Sequence, residues 1–201
     1  MAGQIIVLNG TPRAGKSSIA REIQDTFDGV WLNLGVDSFM EATPERFQPG
    51  GERPDLEPLV RTLYLALYAS IAAHSRLGVN VVVDANHHDD CSRPLGILPA
   101  CARVVGDLPV LFVGVRCPIE VIMTRRIETW GSGYEPDGSI PLPVRRWQDA
   151  VHRSHRYDLE VDTSLASPSE CAALISDRLA GGPPGTAFAR LAAEPGRPDA
   201  S

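Results

Sequence analysis

Gly10-Thr11-Pro12-Arg13-Ala14-Gly15-Lys16-Ser17 is the stretch that decides the fold of this chain. It has the G-x-x-x-x-G-K-S spacing, in which a glycine-rich loop turns backbone N–H groups onto phosphates and the lysine ammonium reaches the β- and γ-phosphates. Lys16 is the chain's single lysine, and every other basic side chain is an arginine. A compact ammonium fits such a cradle, whereas a planar guanidinium on a bulkier head does not. Before the loop, Gln4-Ile5-Ile6-Val7-Leu8-Asn9 reads as a buried strand; after it, Ser17 to Ile23 reads as the start of a helix. The glycines therefore occupy a strand-to-helix turn, which points a helix N-terminus at an anion. Gly10, Thr11, Pro12, Arg13, Ala14, Gly15, Lys16, Ser17 and Ser18 are the predicted ATP-binding set, with the Ser17 hydroxyl on Mg²⁺.

Outward from that turn, short apolar runs alternate with helical patterns. Strands are predicted at 4–9, 30–36, 79–83, 109–115 and 159–162. Helices are predicted at 17–27, 57–77, 94–104, 118–129, 144–156 and 168–180. Ser167-Pro168-Ser169-Glu170 carries a capping box that opens the last helix. Such alternation predicts an α/β fold of three layers, a parallel five-stranded sheet with helices on both faces and a lid, of the P-loop nucleoside triphosphate hydrolase type. In sheets of this kind the chemistry gathers at the carboxyl ends of the strands.

Two predicted strand ends carry carboxylates. Asp84 follows Val81-Val82-Val83 and is the predicted Walker B residue, holding Mg²⁺ directly or through water. Asp37, in Gly35-Val36-Asp37-Ser38, fits a different role, that of taking the proton of an alcohol that attacks a phosphoryl group. Arg125 and Arg126 sit late in a predicted helix, before a Gly/Pro-rich segment from Trp130 to Pro143 that is long for a compact fold. The segment reads as a lid over about 125–146, with Arg125 poised to neutralise phosphoryl charge. His87-His88-Asp89-Asp90 reads as a polar, substrate-facing loop, because adjacent histidines converge poorly on one metal ion. Tyr64 and Tyr68, on the long helix, are core residues that could also wall an acceptor pocket.

With 201 residues and a net charge of −6, the chain suits one domain over 1–180 and shows no basic footprint for nucleic acid. The start Met1-Ala2-Gly3-Gln4 has no charged n-region and no run long enough to span a membrane, so a cytoplasmic protein is predicted. Cys91, Cys101, Cys117 and Cys171 form no C-x-x-C pair and read as reduced, buried thiols. The Gly/Pro-rich end, 181–201, is predicted to be a disordered tail outside the fold. Association into a homo-oligomer is compatible with all of this.

Four segments together resemble the chloramphenicol phosphotransferase-like family of P-loop kinases: Ile6-Val7-Leu8-Asn9-Gly10 with Ala14-Gly15-Lys16-Ser17-Ser18; Leu34-Gly35-Val36-Asp37-Ser38-Phe39-Met40-Glu41; Val113-Gly114-Val115-Arg116-Cys117; and Tyr157 through Ser164. The resemblance implies ATP- and Mg²⁺-dependent transfer of the γ-phosphoryl group to a hydroxyl of a small molecule, in the founding case an antibiotic. It implies Asp37 as general base, Arg125 as the arginine leading into the lid, and Thr163 near the adenine. Where the family has a short Arg-Gly-Asp-Arg-like lid, this chain has Thr129-Trp130-Gly131-Ser132-Gly133-Tyr134-Glu135-Pro136, which leaves Arg126, Arg145 and Arg146 as lid-arginine candidates. A shikimate- or gluconate-type metabolite kinase would instead need arginines such as Arg46, Arg53 and Arg61 facing Asp37. A nucleotide-dependent switch would show no acceptor chemistry at all.

Overall fold

Apolar runs without polar alternation demand burial on both faces, and the strands meet that demand in one parallel sheet. The computed structural model describes residues 1–47, 54–88, 95–131, 133–153, 156–182 and 185–194. Strands β1 (Ile5–Asn9), β2 (Trp31–Asn33), β3 (Asn80–Ala85), β4 (Val110–Arg116) and β5 (Leu159–Asp162) lie in the order β2-β3-β1-β4-β5. Helices α1 (Lys16–Thr26), α2 (Val36–Glu41), α3 (Glu57–Arg76), α4 (Ile97–Val105), α5 (Ile119–Trp130), α6 (Leu142–Ala150), α7 (Pro168–Ala180) and α8 (Ala187–Ala193) complete the chain. Because successive strand residues face opposite ways, Ile6, Leu8, Val82 and Val113 pack with α1, α5 and α7, while Ile5, Val7, Val83 and Phe112 pack with α3, α4 and α8. The three-layer architecture predicted from the alternation, a parallel five-stranded sheet with helices on both faces, is thus the observed one. Among the described residues no helix is long and apolar enough to cross a membrane.

β1 is central, flanked by β3 and β4, so the chain's crossing from one side of the sheet to the other opens a crevice at its carboxyl end. Three differences from the sequence reading bear on that crevice. β3 runs two residues past the predicted end and holds Asp84 inside the sheet, paired across from Leu8. β2 stops at Asn33, and Asp37 lies in the first turn of α2 instead of at a strand end. The predicted helix at 144–156 is α6, Leu142–Ala150. The capping box on α7 forms as read: Ser167 Oγ accepts from the Glu170 N–H at 3.3 Å, and Glu170 Oε2 accepts from the Ser167 N–H at 2.8 Å.

The tail assignment needs correction. Residues 181–201 were expected to be disordered and outside the fold, yet α8 docks on the sheet with Ala187, Phe188 and Leu191 buried. Phe188 stacks on Tyr68 with centroids 6.1 Å apart and meets Phe112 edge-on at 5.2 Å. Asp158 anchors the segment. Its Oδ1 accepts from the N–H groups of Thr186 (2.7 Å) and Ala187 (3.0 Å), and its Oδ2 accepts from the Phe112 N–H at 3.0 Å. Residues 183–184 and 195–201 lie outside the described residues. Removing a buried phenyl group leaves a cavity that the surroundings fill only in part, so Phe188→Ala should destabilise the protein by about 3 kcal/mol. Urea titration of the variant and of a chain cut after Gly182 checks this; midpoints equal to that of the intact chain would contradict the docking.

Candidate active site

The loop from Gly10 to Gly15 takes its shape from two left-handed residues and a set of long-range ties. Gly15 precedes α1 with φ 96, and Arg13 holds φ 68, a conformation that costs a non-glycine residue energy unless its surroundings enforce it. The enforcement comes from α5. Arg125 Nη1 donates to the Arg13 carbonyl at 3.2 Å, to Thr163 Oγ1 at 3.0 Å and to Cys117 Sγ at 3.4 Å, while Nη2 donates to the Thr163 carbonyl at 2.8 Å. Thr163 Oγ1 in turn donates to the Ala14 carbonyl at 2.7 Å. α1 begins with no side-chain cap, which leaves its first N–H groups, unpaired within any helix, without a capping side chain.

Lys16 is buried within this frame, 7% exposed, and its Nζ donates to the Thr11 carbonyl at 3.0 Å. Nζ lies 3.5 Å from Asp84 Oδ1, while Ser17 Oγ donates to Asp84 Oδ2 at 2.5 Å. The end of β3 and the start of α1 thus bring ammonium, hydroxyl and carboxylate together. Burial lowers the pKa of Lys16, with Asp84 and then Asp37 opposing that shift. Asp37 therefore stands close enough for its charge to be felt at Nζ. Gly35 lets it come close: a Cβ there would sit 3.3 Å from both Asp84 Cβ and the Asp84 carbonyl oxygen, tighter than most side-chain contacts.

These groups line one cleft of about 640 Å³. On the β3 side it is walled by Val36, Asp37, Asp84 and Asn86; on the β5 side by Arg125, Thr129, Trp130, Thr163 and Pro168. The loop residues Pro12, Arg13, Gly15, Lys16, Ser17 and Ser18 lie on its wall, while Gly10, Thr11 and Ala14 are buried behind them. Trp130, at the end of α5, meets two guanidinium groups, with Arg13 Cζ 4.1 Å and Arg126 Cζ 4.6 Å from the ring centroid. Arg145 is turned to the Ile140 carbonyl at 3.2 Å. The segment read as a lid comprises the end of α5, a turn closed by Glu135 N–H to the Ser139 carbonyl at 2.8 Å, and the start of α6.

Several residues that organise the site were missed from sequence. Asn9 is buried where β1 meets the loop: its Oδ1 accepts from the His87 N–H at 2.7 Å, and its Nδ2 donates to the Val151 carbonyl at 3.2 Å and to Tyr157 Oη at 3.0 Å. Gln148 ties α6 to the loop, receiving the Thr11 hydroxyl at 3.1 Å and donating to the Cys117 carbonyl at 2.8 Å. His87, read as part of a substrate-facing loop, is instead 2% exposed and hydrogen-bonded to Tyr68 Oη at 2.8 Å. Asp89 and Asp90 lie outside the described residues. Tyr68 is core, while half-buried Tyr64 donates to the Asn86 carbonyl at 3.4 Å. Of the arginines considered for an anionic acceptor, Arg46 lies over the Phe47 ring at 4.7 Å, Arg61 is carried by α3, and Arg53 is outside the described residues.

Hard oxygen donors suit Mg²⁺, which commonly takes one or two protein oxygens and completes its shell with phosphate and water. Ser17 Oγ and the Asp84 carboxylate meet that description. Among the described residues no group of three or more His, Cys, Asp or Glu side chains forms a self-sufficient metal cage.

The sequence model of the family described as chloramphenicol phosphotransferase-like protein matches residues 3–180. A curated relative from Mycobacterium tuberculosis, named "Putative O-phosphotransferase Rv2636", is 28% identical over 209 residues, covering 94% of this chain and 88% of its own. Among solved structures, the APS kinase CysC of Mycobacterium tuberculosis in complex with AMPPNP and APS superposes with a TM-score of 0.63 at 18% identity, covering 89% of this chain and 98% of its own. Shikimate kinase from Acinetobacter baumannii in complex with shikimate gives 0.59 at 13% identity, covering 89% and 94%. At these identities the structural likeness speaks for the fold.

Proposed function

This chain belongs to the chloramphenicol phosphotransferase-like family, and on that premise we propose that it transfers the γ-phosphoryl group of ATP, with Mg²⁺, to a hydroxyl of a small molecule. The observation that carries the reading is the presence of two carboxylates on one wall of the cleft, both acting on Lys16. Asp84 is engaged by Ser17 and Lys16, which leaves Asp37 to face the acceptor. The acceptor oxygen forms its bond to the γ-phosphorus as its proton passes to the Asp37 carboxylate, and the bond to the β–γ bridging oxygen breaks to release ADP. Lys16 and the N–H groups at the start of α1 stabilise the charge on the phosphates. Ser17 and Asp84 are the residues that would hold Mg²⁺, which neutralises phosphate charge when bound. The segment over about 125–146 would act as the lid, excluding water so that ATP is not hydrolysed wastefully.

The test is a screen of the purified protein with Mg-ATP against hydroxylated antibiotics and metabolites, shikimate and gluconate included, reading ADP release and the mass of the products. A product heavier by one phosphoryl group is expected. ATP hydrolysis that no alcohol stimulates, with no phosphorylated product, would favour the switch reading. Phosphorylation of the anionic acceptors alone would favour the metabolite-kinase reading, which needs arginines facing Asp37.

Arg125 has a positioning role in this scheme, because its guanidinium is already committed to Arg13, Thr163 and Cys117. Arg125→Lys cannot reproduce the planar fork and leaves carbonyl partners unpaired around the strained Arg13. Mg-ATP affinity measured by calorimetry should fall about tenfold, the scale of one lost charged hydrogen bond. Unchanged affinity with depressed turnover would instead place Arg125 on the transferring phosphoryl group.

A further inference from the structure

Arg13 is the one described residue other than glycine with a left-handed backbone, and α5 holds it at both ends. Its carbonyl accepts from Arg125 Nη1 at 3.2 Å, while its guanidinium lies over the Trp130 ring with Cζ 4.1 Å from the centroid. The ring is itself fixed. Arg126, four residues earlier on the same helix and so on the same face, sets its own Cζ 4.6 Å from that centroid. Gly131 ends the helix at once, its N–H bound to the Ile127 carbonyl at 3.0 Å. Among the described residues the Arg13 guanidinium has no carboxylate partner and no hydrogen bond, so the indole is what holds it. With the side chain tied to Trp130 and the carbonyl to Arg125, rotation about the Arg13 backbone pulls one of them off its partner. A cation–π contact is of the same order as the cost of a left-handed backbone at a residue with a Cβ, so losing the ring is enough to change which conformation the loop prefers. We infer that Trp130 is a positioning residue of the nucleotide site, which through the Arg13 guanidinium holds the left-handed turn on which the shape of the phosphate loop depends.

The ligand that feels this contact is the polyphosphate, whatever base is attached to it. A ring that instead stacked on the base would matter only to a complete nucleotide, and Trp130, half exposed on the cleft wall, makes that the rival to exclude. The inference rests on the reading of the loop as a nucleotide-phosphate site and is independent of the acceptor chemistry.

Two probes separate the possibilities: AMPPNP, a non-hydrolysable ATP analogue, and inorganic tripolyphosphate, which has the phosphates without the ribose and base. Their binding to the full chain with Mg²⁺ is measured by calorimetry. Trp130→Leu should weaken both by about fivefold, the scale of one cation–π contact. Trp130→Phe keeps a ring face and should recover most of the affinity. In Arg13→Gly, where glycine takes the left-handed conformation without a Cβ penalty, adding Trp130→Leu should have no further effect, so the double-mutant cycle shows the two residues coupled. Several outcomes overturn the inference. Affinities unchanged in Trp130→Leu would show that the contact does nothing for the loop, and a gain would show that the ring competes with the phosphates for the guanidinium. A loss confined to AMPPNP, or one of the same size in the Arg13→Gly background, would place the ring on the nucleotide itself. Equal losses in Trp130→Phe and Trp130→Leu, each with a fall of several degrees in melting temperature, would make Trp130 a packing residue only. If the intact protein binds neither probe, the nucleotide reading falls and the inference with it. Coupled binding without phosphorylation of any alcohol leaves Trp130 in its role and removes the proposed transfer instead.

Discussion

Asp37→Asn is expected to cut phosphoryl transfer by about 10²- to 10⁴-fold, the range found for a general base, while Mg-ATP affinity and the melting temperature stay near those of the parent protein. Asparagine keeps the shape of the side chain on the exposed first turn of α2 but cannot take a proton. Asp84→Asn is expected to behave differently. It weakens the contacts with Lys16 and Ser17 and one of the two oxygen sites proposed for Mg²⁺, so the Mg²⁺ concentration needed for half-maximal activity should rise. Calorimetry with Mg-ATP and rate measurements on both variants separate the two roles. Loss of nucleotide binding in Asp37→Asn together with normal turnover in Asp84→Asn would reverse the assignment.

Lys16→Ala and Lys16→Arg should both lose transfer by a hundredfold or more, about 3 kcal/mol of transition-state stabilisation. Alanine removes the charge. The arginine case is the more informative one, because it keeps the charge and changes only its shape. Lys16 threads a buried position between the Thr11 carbonyl and Asp84, where the wider guanidinium has no room without displacing one of them. Single-turnover rates with saturating ATP provide the readout, with a melting curve to show that the loop still folds. Full activity in Lys16→Arg would remove the steric account of why this chain keeps one lysine among arginines.

The loop, the strand that enters it and the helix that leaves it were legible because their signals are local. β1 is a continuous apolar run, the glycines mark a turn, and α1 follows at once. Asp84 was legible for the same reason, as a carboxylate ending a buried run. Asp37 was found by its position, but its surroundings were misread: Gly35 ends the extended segment, and the residues after it enter a helix where a strand end was expected. The supports of the loop carried no local signal. Asn9 meets Val151 and Tyr157 across 142 and 148 residues of chain, and Arg125 meets Arg13 across 112. A polar residue at a strand end or on a helix looks the same in sequence whether it faces water or closes such a contact.

The docked end of the chain shows the same limit from the apolar side. Ala187, Phe188 and Leu191 fall on one face of a helix of seven residues, too short a window for periodicity to outweigh the Gly/Pro-rich flanks. What holds α8 is supplied from elsewhere, by the rings of Tyr68 and Phe112 and by the carboxylate of Asp158. The sequence by itself determined the three-layer class, the phosphate loop and the two carboxylates, because hydrophobic period, glycine placement and charge act over a few neighbouring residues. Only the tertiary structure decided which polar groups brace the loop and that the final helix belongs to the core. Those outcomes depend on which surfaces meet, and burial turns a group that water would otherwise satisfy into one that must find a partner within the protein.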